Sequence, residues 1–186
     1  MSISHTIARM KVPMRRTTVS QIVIRSIVFL LLPLLIASCG TEGDQRLRIG
    51  DRAPDFSISD LQGTLISSDS WRGHPVILRF WDTECKYCRA DTPIFNHYFD
   101  QYQKRGLKVL YVATGNETLE RVQDFIADLE IDFPVALDSD QKVASAYQVT
   151  MVPQTVFISP DQKIITAVLG GVSEAELQEL IGNYLQ

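Results

Sequence analysis

The residues of this sequence that point most directly to chemistry are two cysteines, Cys85 and Cys88, separated by two positions. An apolar run with the composition of a buried strand, Val76 to Trp81, precedes them, and a helical pattern begins where they stand. Two cysteines at this spacing can close a disulfide and reopen it. At a helix start, free backbone N–H groups and the helix dipole favour the thiolate, which is the species that attacks disulfides. The pattern therefore predicts dithiol–disulfide exchange; a permanent structural disulfide and a metal site are the alternatives.

The charge of the chain is distributed unevenly. The 186 residues carry a formal net charge of −4, but residues 1–38 contain five cations and no acid, so 13 cations and 22 anions remain in the rest. A domain this acidic lacks the basic surface that nucleic-acid binding requires. The three histidines, His5, His74 and His97, are distant in sequence from the cysteine pair. We therefore predict neither nucleic-acid binding nor a metal site.

The first 38 residues have the pattern of a secretory signal peptide. They combine a basic start with an apolar run, Ile27 to Ala37, followed by the small residue Ser38. The run has 11 residues, whereas a transmembrane helix needs about 20. The adjacent Arg15 and Arg16 leave a twin-arginine signal as an alternative. We predict that residues 1–38 are a signal peptide of the lipoprotein type.

The end of this segment, Leu35 to Cys39, resembles the lipobox of bacterial lipoproteins. The resemblance implies that Cys39 is lipidated and begins the mature chain, and several acyl chains make membrane attachment stable. Lipidation also accounts for the third cysteine, which is otherwise an odd thiol in an oxidising compartment. A plain signal peptide or an uncleaved anchor, with Cys39 incidental, is the alternative. We expect residues 39–48 to be a tether that holds a domain at a membrane of the cell envelope, facing the periplasm or the exterior.

The elements that must position the cysteines follow from hydrophobic periodicity and turn residues. Strands are predicted over Phe56–Ile58, Leu65–Ile66, Val76–Trp81, Leu107–Thr114, Phe133–Leu137, Thr155–Ile158 and Lys163–Val168. Helices are predicted over Cys85–Arg105, Glu117–Leu129, Gln141–Tyr147 and from a capping box at Ser173 and Glu176 to about Tyr184. Alternating strands and helices, then a hairpin and a helix, indicate an α/β sandwich with a mixed sheet.

Four stretches resemble one family, and they occur in its order. FWDTECKYCRADTPIF looks like the active site of the thioredoxin fold, and YQVTMVPQTVFI resembles the cis-proline segment that faces it. IGDRAPDFSISDLQG resembles the N-terminal extension of the TlpA/ResA-like thiol–disulfide oxidoreductases, and FPVALDSDQKVASAY resembles their central insertion. The resemblance implies a thioredoxin fold over residues 49–186, with a mixed central sheet flanked by helices, an N-terminal β-hairpin extension and a central insertion.

The resemblance also assigns roles to single residues. It implies that Cys85 is the nucleophile and Cys88 the resolving thiol. It makes Pro153 the cis-proline, which leaves the backbone of Val152 free to pair with a bound peptide. Asp91 stands where relatives often have Glu, next to the buried thiol. The implied partners are disulfide-bearing or dithiol proteins of the envelope and a membrane electron donor.

The sequence departs from the family at three places. Glu84 stands where the family usually has Trp, and Lys86-Tyr87 replaces a pair that commonly includes Pro. Lys86 favours a thiolate at Cys85, whereas Glu84 opposes it. Arg79 stands where thioredoxin has a buried acid. Strand alternation places it on the same face as Ile77 and Trp81, and the resemblance implies that this face lies beneath the active-site helix. We therefore predict that Arg79 pairs with an ionised Asp91 beneath the disulfide; a solvated Asp91 and an Arg79 that extends to solvent are the alternatives.

The resemblance implies a membrane-tethered thiol–disulfide oxidoreductase that reduces partner proteins, with oxidation or isomerisation by the same dithiol as variants. The N-terminal region also resembles the peroxiredoxins, whose peroxidases have Pro and Thr just upstream of the reactive cysteine. Here Thr83 lies two residues before Cys85, without the Pro. A non-enzymatic metal-carrying or binding lipoprotein is a further alternative. We expect a monomer whose only redox group is the Cys85–Cys88 disulfide, with no other cofactor.

Overall fold

The computed structural model describes residues 47–185. The predicted signal peptide, the predicted lipidation site Cys39 and all but the last two residues of the predicted tether lie outside these residues. No helix within residues 47–185 combines the length and the apolar composition needed to cross a bilayer.

In the described part of the chain, seven strands form a two-stranded hairpin and a five-stranded mixed sheet. The sheet has the order β5-β4-β3-β6-β7; β3, β4 and β5 run parallel, whereas β6 and β7 are antiparallel to their neighbours. The strands are β1 (Ser57–Ser59), β2 (Leu65–Ser67), β3 (Val76–Trp81), β4 (Lys108–Ala113), β5 (Val135–Leu137), β6 (Gln154–Ile158) and β7 (Ile164–Leu169).

Between residues 47 and 185, four α-helices and two short 3-10 helices accompany the strands. The α-helices are α1 (Lys86–Tyr102), α2 (Leu119–Asp128), α3 (Lys142–Ala146) and α4 (Glu174–Gly182), and the 3-10 helices are Asp69–Trp71 and Gln103–Arg105. The predicted mixed sheet, N-terminal hairpin and helix order are confirmed. The helix predicted over residues 85–105 is instead an α-helix that ends at Tyr102 and continues as a 3-10 turn.

The central strand β3 is buried along its whole length. It is apolar except for Arg79 and lies between β4 and β6, so both of its edges are hydrogen-bonded. Strands covered on both faces are apolar throughout because neither face meets water. Arg79 is therefore the one residue of β3 whose burial needs a separate explanation.

Apolar side chains pack on both faces of this sheet. Helices α1, α2 and α4 contribute to the core on one face, where the rings of Trp81 and Phe125 lie 4.2 Å apart. The hairpin and α3 contribute to the other face, where the Tyr147 ring lies 5.6 Å from that of Phe80. Because side chains alternate along a strand, Arg79 shares the α1 face with Trp81.

The helix ends follow from specific residues. Ser173 and Glu176 form the predicted capping box at the start of α4, and the Thr118 side chain accepts a hydrogen bond at the start of α2. The turn after α1 ends at Gly106, which has a φ of 102°. A Cβ atom at Gly106 would lie 2.8 Å from Nδ1 of His74. Glycine is therefore required there both for its backbone conformation and for space.

The described members of both cores already cover the two faces of the sheet, so we expect a chain that starts at Gly40 to fold as a soluble monomer. A sharp near-UV circular dichroism spectrum and a monomeric mass in sedimentation velocity are the expected results. For comparison, Leu78→Ala in the same shortened chain should lower the free energy of unfolding by about 2–5 kcal/mol, because Leu78 is fully buried in β3. Insolubility of the shortened chain, or a spectrum without near-UV signal, would contradict the division into tether and domain.

Candidate active site

A disulfide between Cys85 and Cys88 lies at the junction of β3 and α1, with the two Cα atoms 5.2 Å apart. Cys85 is the N-cap residue of α1, and its Sγ accepts the backbone N–H of Cys88 at 3.0 Å. Cys85 is half-buried, whereas Cys88 has no accessible surface. The sulfur at the helix N-terminus is therefore the one that a partner can reach.

The loop before Cys85 is held by the start of α2. Oε1 of Glu117 accepts the backbone N–H of Thr83, and both carboxylate oxygens lie within 3.1 Å of the Thr83 hydroxyl. The Glu117 side chain is only 5% exposed, so this contact is shielded from water. Asp82 accepts the backbone N–H of Glu84 at 3.0 Å, which closes a tight turn. These bonds fix the chain direction into the cysteine pair.

The two charged residues that flank Cys85, Glu84 and Lys86, differ in whether they form an ion pair. Glu84 is exposed and forms an ion pair with Arg121 at 3.0 Å, so a cation faces the acid that opposes a thiolate. Lys86 is exposed, and within residues 47–185 it has no ion pair. Its predicted influence on Cys85 stays a prediction.

Glu117 and Arg121 were not found from the sequence. They stand 29 and 33 residues after Cys88 and belong to the next strand–helix unit. The only feature that relates Glu117 and Arg121 to the cysteine pair is the order of the strands in the sheet. β3 and β4 are parallel, so the loops after both strands meet at the same edge of the sheet.

Arg79 and Asp91 form a buried ion pair, as predicted. Nη2 of Arg79 lies 2.6 Å from Oδ1 and 2.7 Å from Oδ2 of Asp91, and Nη1 donates to Oγ1 of Thr155 at 2.6 Å. The guanidinium carbon lies 4.7 Å from the centre of the Phe95 ring. Arg79 is 0% exposed and Asp91 6%, so the alternatives of a solvent-reaching Arg79 and a solvated Asp91 are wrong.

Asp91 also accepts the backbone N–H of Val172 at 2.9 Å, from the loop between β7 and α4. Burial raises the pKa of Asp91 above its ordinary value, although the Arg79 guanidinium and the Val172 N–H both oppose that shift. Pairing with Arg79 was expected to keep Asp91 ionised, but it does not keep the pKa of this buried acid from rising. Removal of the carboxylate from water outweighs the attraction of its partner.

Two further buried groups, Thr92 and Tyr111, lie near Cys88 and Arg79. The Thr92 hydroxyl donates to the carbonyl of Cys88 at 2.6 Å and lies 3.3 Å from the Tyr111 hydroxyl. Burial raises the pKa of Tyr111, so its phenol is neutral at physiological pH. Thr92 and Tyr111 resemble ordinary core positions in the sequence, and nothing local distinguishes them.

The Val152–Pro153 peptide bond is cis. Phe80 pairs with Gln154, so Pro153 lies at the edge of the sheet where β3 ends and the cysteine loop begins. Its carbonyl accepts the N–H of Gly170 at 2.8 Å. Val152 is half-buried and lines a cavity of about 240 Å³, with the exposed Met151 beside it.

Comparisons with known proteins agree with this geometry. Residues 49–167 match the AhpC/TSA family. The thiol-disulfide oxidoreductase ResA of Geobacillus thermodenitrificans is 31% identical over 164 residues, which cover 86% of this chain and 93% of the relative. ResA of Bacillus cereus is 29% identical over 163 residues, which cover 82% of this chain and 91% of the relative.

Among solved structures, a provisionally assigned thiol:disulfide interchange protein DsbE from Chlorobium tepidum is similar to this chain with a TM-score of 0.70. It is 27% identical, and the alignment covers 75% of this chain and 99% of that one. The chain therefore belongs to the AhpC/TSA family and, with a Cys85–Cys88 pair on a thioredoxin-like fold, is a thiol–disulfide oxidoreductase similar to the ResA proteins.

Proposed function

We propose that this protein is a lipid-anchored reductase of the cell envelope, which transfers electrons from Cys85 and Cys88 to disulfides of partner proteins. The observation that carries the proposal is the difference between the two sulfurs: one is accessible at a helix N-terminus, and the other is fully buried one turn deeper. The extracytoplasmic location and the anchor are supported by the signal-peptide pattern and by the lipobox resemblance at Cys39.

The reaction has two exchange steps. The Cys85 thiolate attacks one sulfur of the partner disulfide, forms a mixed disulfide and releases one partner thiolate. The Cys88 thiolate then attacks the Cys85 sulfur, which closes the Cys85–Cys88 disulfide and releases the second partner thiolate. Two electrons pass to the partner, and a membrane dithiol donor returns two electrons to this protein. No cofactor besides the disulfide takes part.

The partner segment would lie along Val152 and Pro153. These residues stand at the same sheet edge as the cysteine loop, and an extended peptide can add there as a strand through backbone hydrogen bonds. Met151 and Tyr87 are 59% and 67% exposed, respectively, and offer apolar surface to such a segment. Lys86, one residue after Cys85, would support the thiolate by its charge.

The first test is reduction of a model disulfide protein such as insulin by the reduced chain. We expect stoichiometric reduction, loss of activity in Cys85→Ser, and a trapped mixed disulfide in Cys88→Ser, because only the second sulfur can resolve the intermediate. Turnover with hydrogen peroxide is the comparison assay, and rapid peroxide consumption without disulfide reduction would identify a thiol peroxidase instead. Tight metal binding without either activity would identify a carrier.

The identity of the attacking sulfur can be tested by alkylation. Sub-stoichiometric iodoacetamide on the reduced protein should label Cys85 in preference to Cys88, because Cys88 has no accessible surface. Peptide mapping by mass spectrometry gives the ratio. Denatured protein serves as the control, where the two thiols should react to similar extents. Preferential labelling of Cys88 in the folded protein would contradict the assignment.

The anchor can be tested by metabolic labelling with a fatty-acid analogue in a bacterial host. We expect label on the wild-type chain and none on Cys39→Ser, which should also leave the membrane fraction or retain its leader. Cys85→Ser is the matched control, because it removes a cysteine without touching the lipobox. Equal labelling of the wild type and Cys39→Ser would rule out the lipoprotein assignment.

A further inference from the structure

We propose that Arg79 is a positioning residue for the redox reaction, whose buried guanidinium stabilises negative charge on Cys88 when the disulfide opens. The inference rests on the proposed exchange reaction, in which Cys88 must attack as a thiolate. The charge of Arg79 would act in the second exchange step, in which Cys88 attacks the sulfur of Cys85.

Arg79 and Cys88 lie on two elements that pack against each other, β3 and α1. Cys88 and Asp91 are three residues apart on α1, so both point to the same side of the helix. Arg79 lies on the face of β3 that this helix covers, and it holds Asp91 through one nitrogen. The guanidinium is therefore enclosed between β3 and α1, 4.7 Å from the centre of the Phe95 ring and 5.8 Å from that of Tyr111, and both rings belong to the same core cluster as Cys88.

The described residues do not satisfy every hydrogen-bond donor of the Arg79 guanidinium. Nη1 donates to Thr155 and Nη2 to Asp91, but Nε is buried and has no hydrogen-bond partner within residues 47–185. A buried ion pair is often no more stabilising than apolar residues of the same volume, so structural stability alone gives a weak reason for an arginine in β3. A cation with a spare donor in a poorly screened interior lowers the free energy of an anion that forms nearby.

The buried polar and charged groups around Arg79 come from several elements of the described part of the chain. Arg79 comes from β3, Asp91 from α1 and Tyr111 from β4, while β6 contributes the neutral Thr155 and the β7–α4 loop a backbone N–H. The Tyr111 phenol is neutral, so Arg79 and Asp91 carry the formal charges among these described groups. Removal of Arg79 should therefore lower the acid dissociation constant of Cys88, whereas removal of Asp91 should raise it.

The experiment measures ionisation of Cys88 alone. The full chain carries Cys39→Ser and Cys85→Ser, is kept in detergent, and its thiolate absorbance is titrated with pH. In this background Arg79→Met should lower the acid dissociation constant of Cys88 by about tenfold, and Asp91→Asn should raise it by about the same factor. The double variant Arg79→Met/Asp91→Asn should return close to the starting value, and Arg79→Lys should retain most of the effect of the charge.

Arg89→Met is the matched control. It removes a cation one residue after Cys88 on the same helix, but Arg89 is exposed and pairs with Asp128 at the surface, so we expect less than about a twofold change. A loss of structure would move Arg79→Met and Asp91→Asn in the same direction, and that result would overturn the proposal. Equal effects of Arg79→Met and Arg89→Met would overturn it as well. If Arg79→Met does not fold, Asp91→Asn decides: an unchanged or lowered dissociation constant would refute the role of Arg79.

A second measurement separates this inference from the proposed function. With Cys85 restored, and at a pH at which the reduced Cys88 is a thiolate in both proteins, Arg79→Met should shift the equilibrium with glutathione by about tenfold toward the disulfide, which equals about 30 mV for a two-electron couple. If the wild-type chain exchanges with glutathione but Arg79→Met leaves that equilibrium unchanged, the tuning role fails and the oxidoreductase proposal stands. If the wild-type chain does not exchange at all, the proposed function fails, while the titration of Cys88 still reports on Arg79.

Discussion

Arg79 carries a positive charge in the most enclosed strand of the sheet, and the fold must satisfy that charge without water. An uncompensated charge in such a place costs several kcal/mol, so its partners are not optional. Asp91 supplies the counter-charge from α1, and Thr155 supplies an acceptor from the neighbouring strand. Asp91 in turn holds the loop that leads into α4 through the Val172 N–H. One guanidinium therefore connects two strands, a helix and a loop, and it fixes how α1 lies on the sheet.

The position of α1 determines where the reactive sulfur emerges. Cys85 caps the helix, so any rotation or shift of α1 would move it relative to the sheet edge. The same edge receives the loop of Glu117 and the Val152–Pro153 segment, because β3 and β4 are parallel and β6 runs in the opposite direction. Three segments that are distant in sequence thus meet at one place, and each is held by contacts in the buried layers beneath it.

Much of this arrangement can be predicted from the sequence. The apolar run from Val76 to Trp81, the capping box at Ser173 and the glycine at position 106 each determine a local structure, and the structure has all three. The ion pair of Arg79 and Asp91 was also predictable, because a lone arginine in a buried strand demands an acid and alternation indicates the face. These inferences succeed because they depend on local periodicity or on a single strong electrostatic requirement.

Other features could not be read in this way. The bonds from Glu117 to Thr83 depend on the register of two parallel strands, which no local pattern specifies. The raised pKa of Asp91 depends on how far burial exceeds the compensation from two donors, and that balance requires the packed structure. The boundary of α1 differs because the last turn tightens into a 3-10 helix, and the two forms have almost the same sequence preferences.

The complete burial of Cys88 has a consequence for timing. In the proposed cycle, Cys88 resolves the mixed disulfide on Cys85 and is already held beside it. The Cα atoms of Cys85 and Cys88 lie 5.2 Å apart in the oxidised protein. A neighbour fixed in this way acts at an effective concentration far above that of any free thiol in solution. The residence time of a partner on the protein is then set by an internal reaction rather than by competing thiols. A bound partner would leave reduced, because release is the same event as closure of the disulfide.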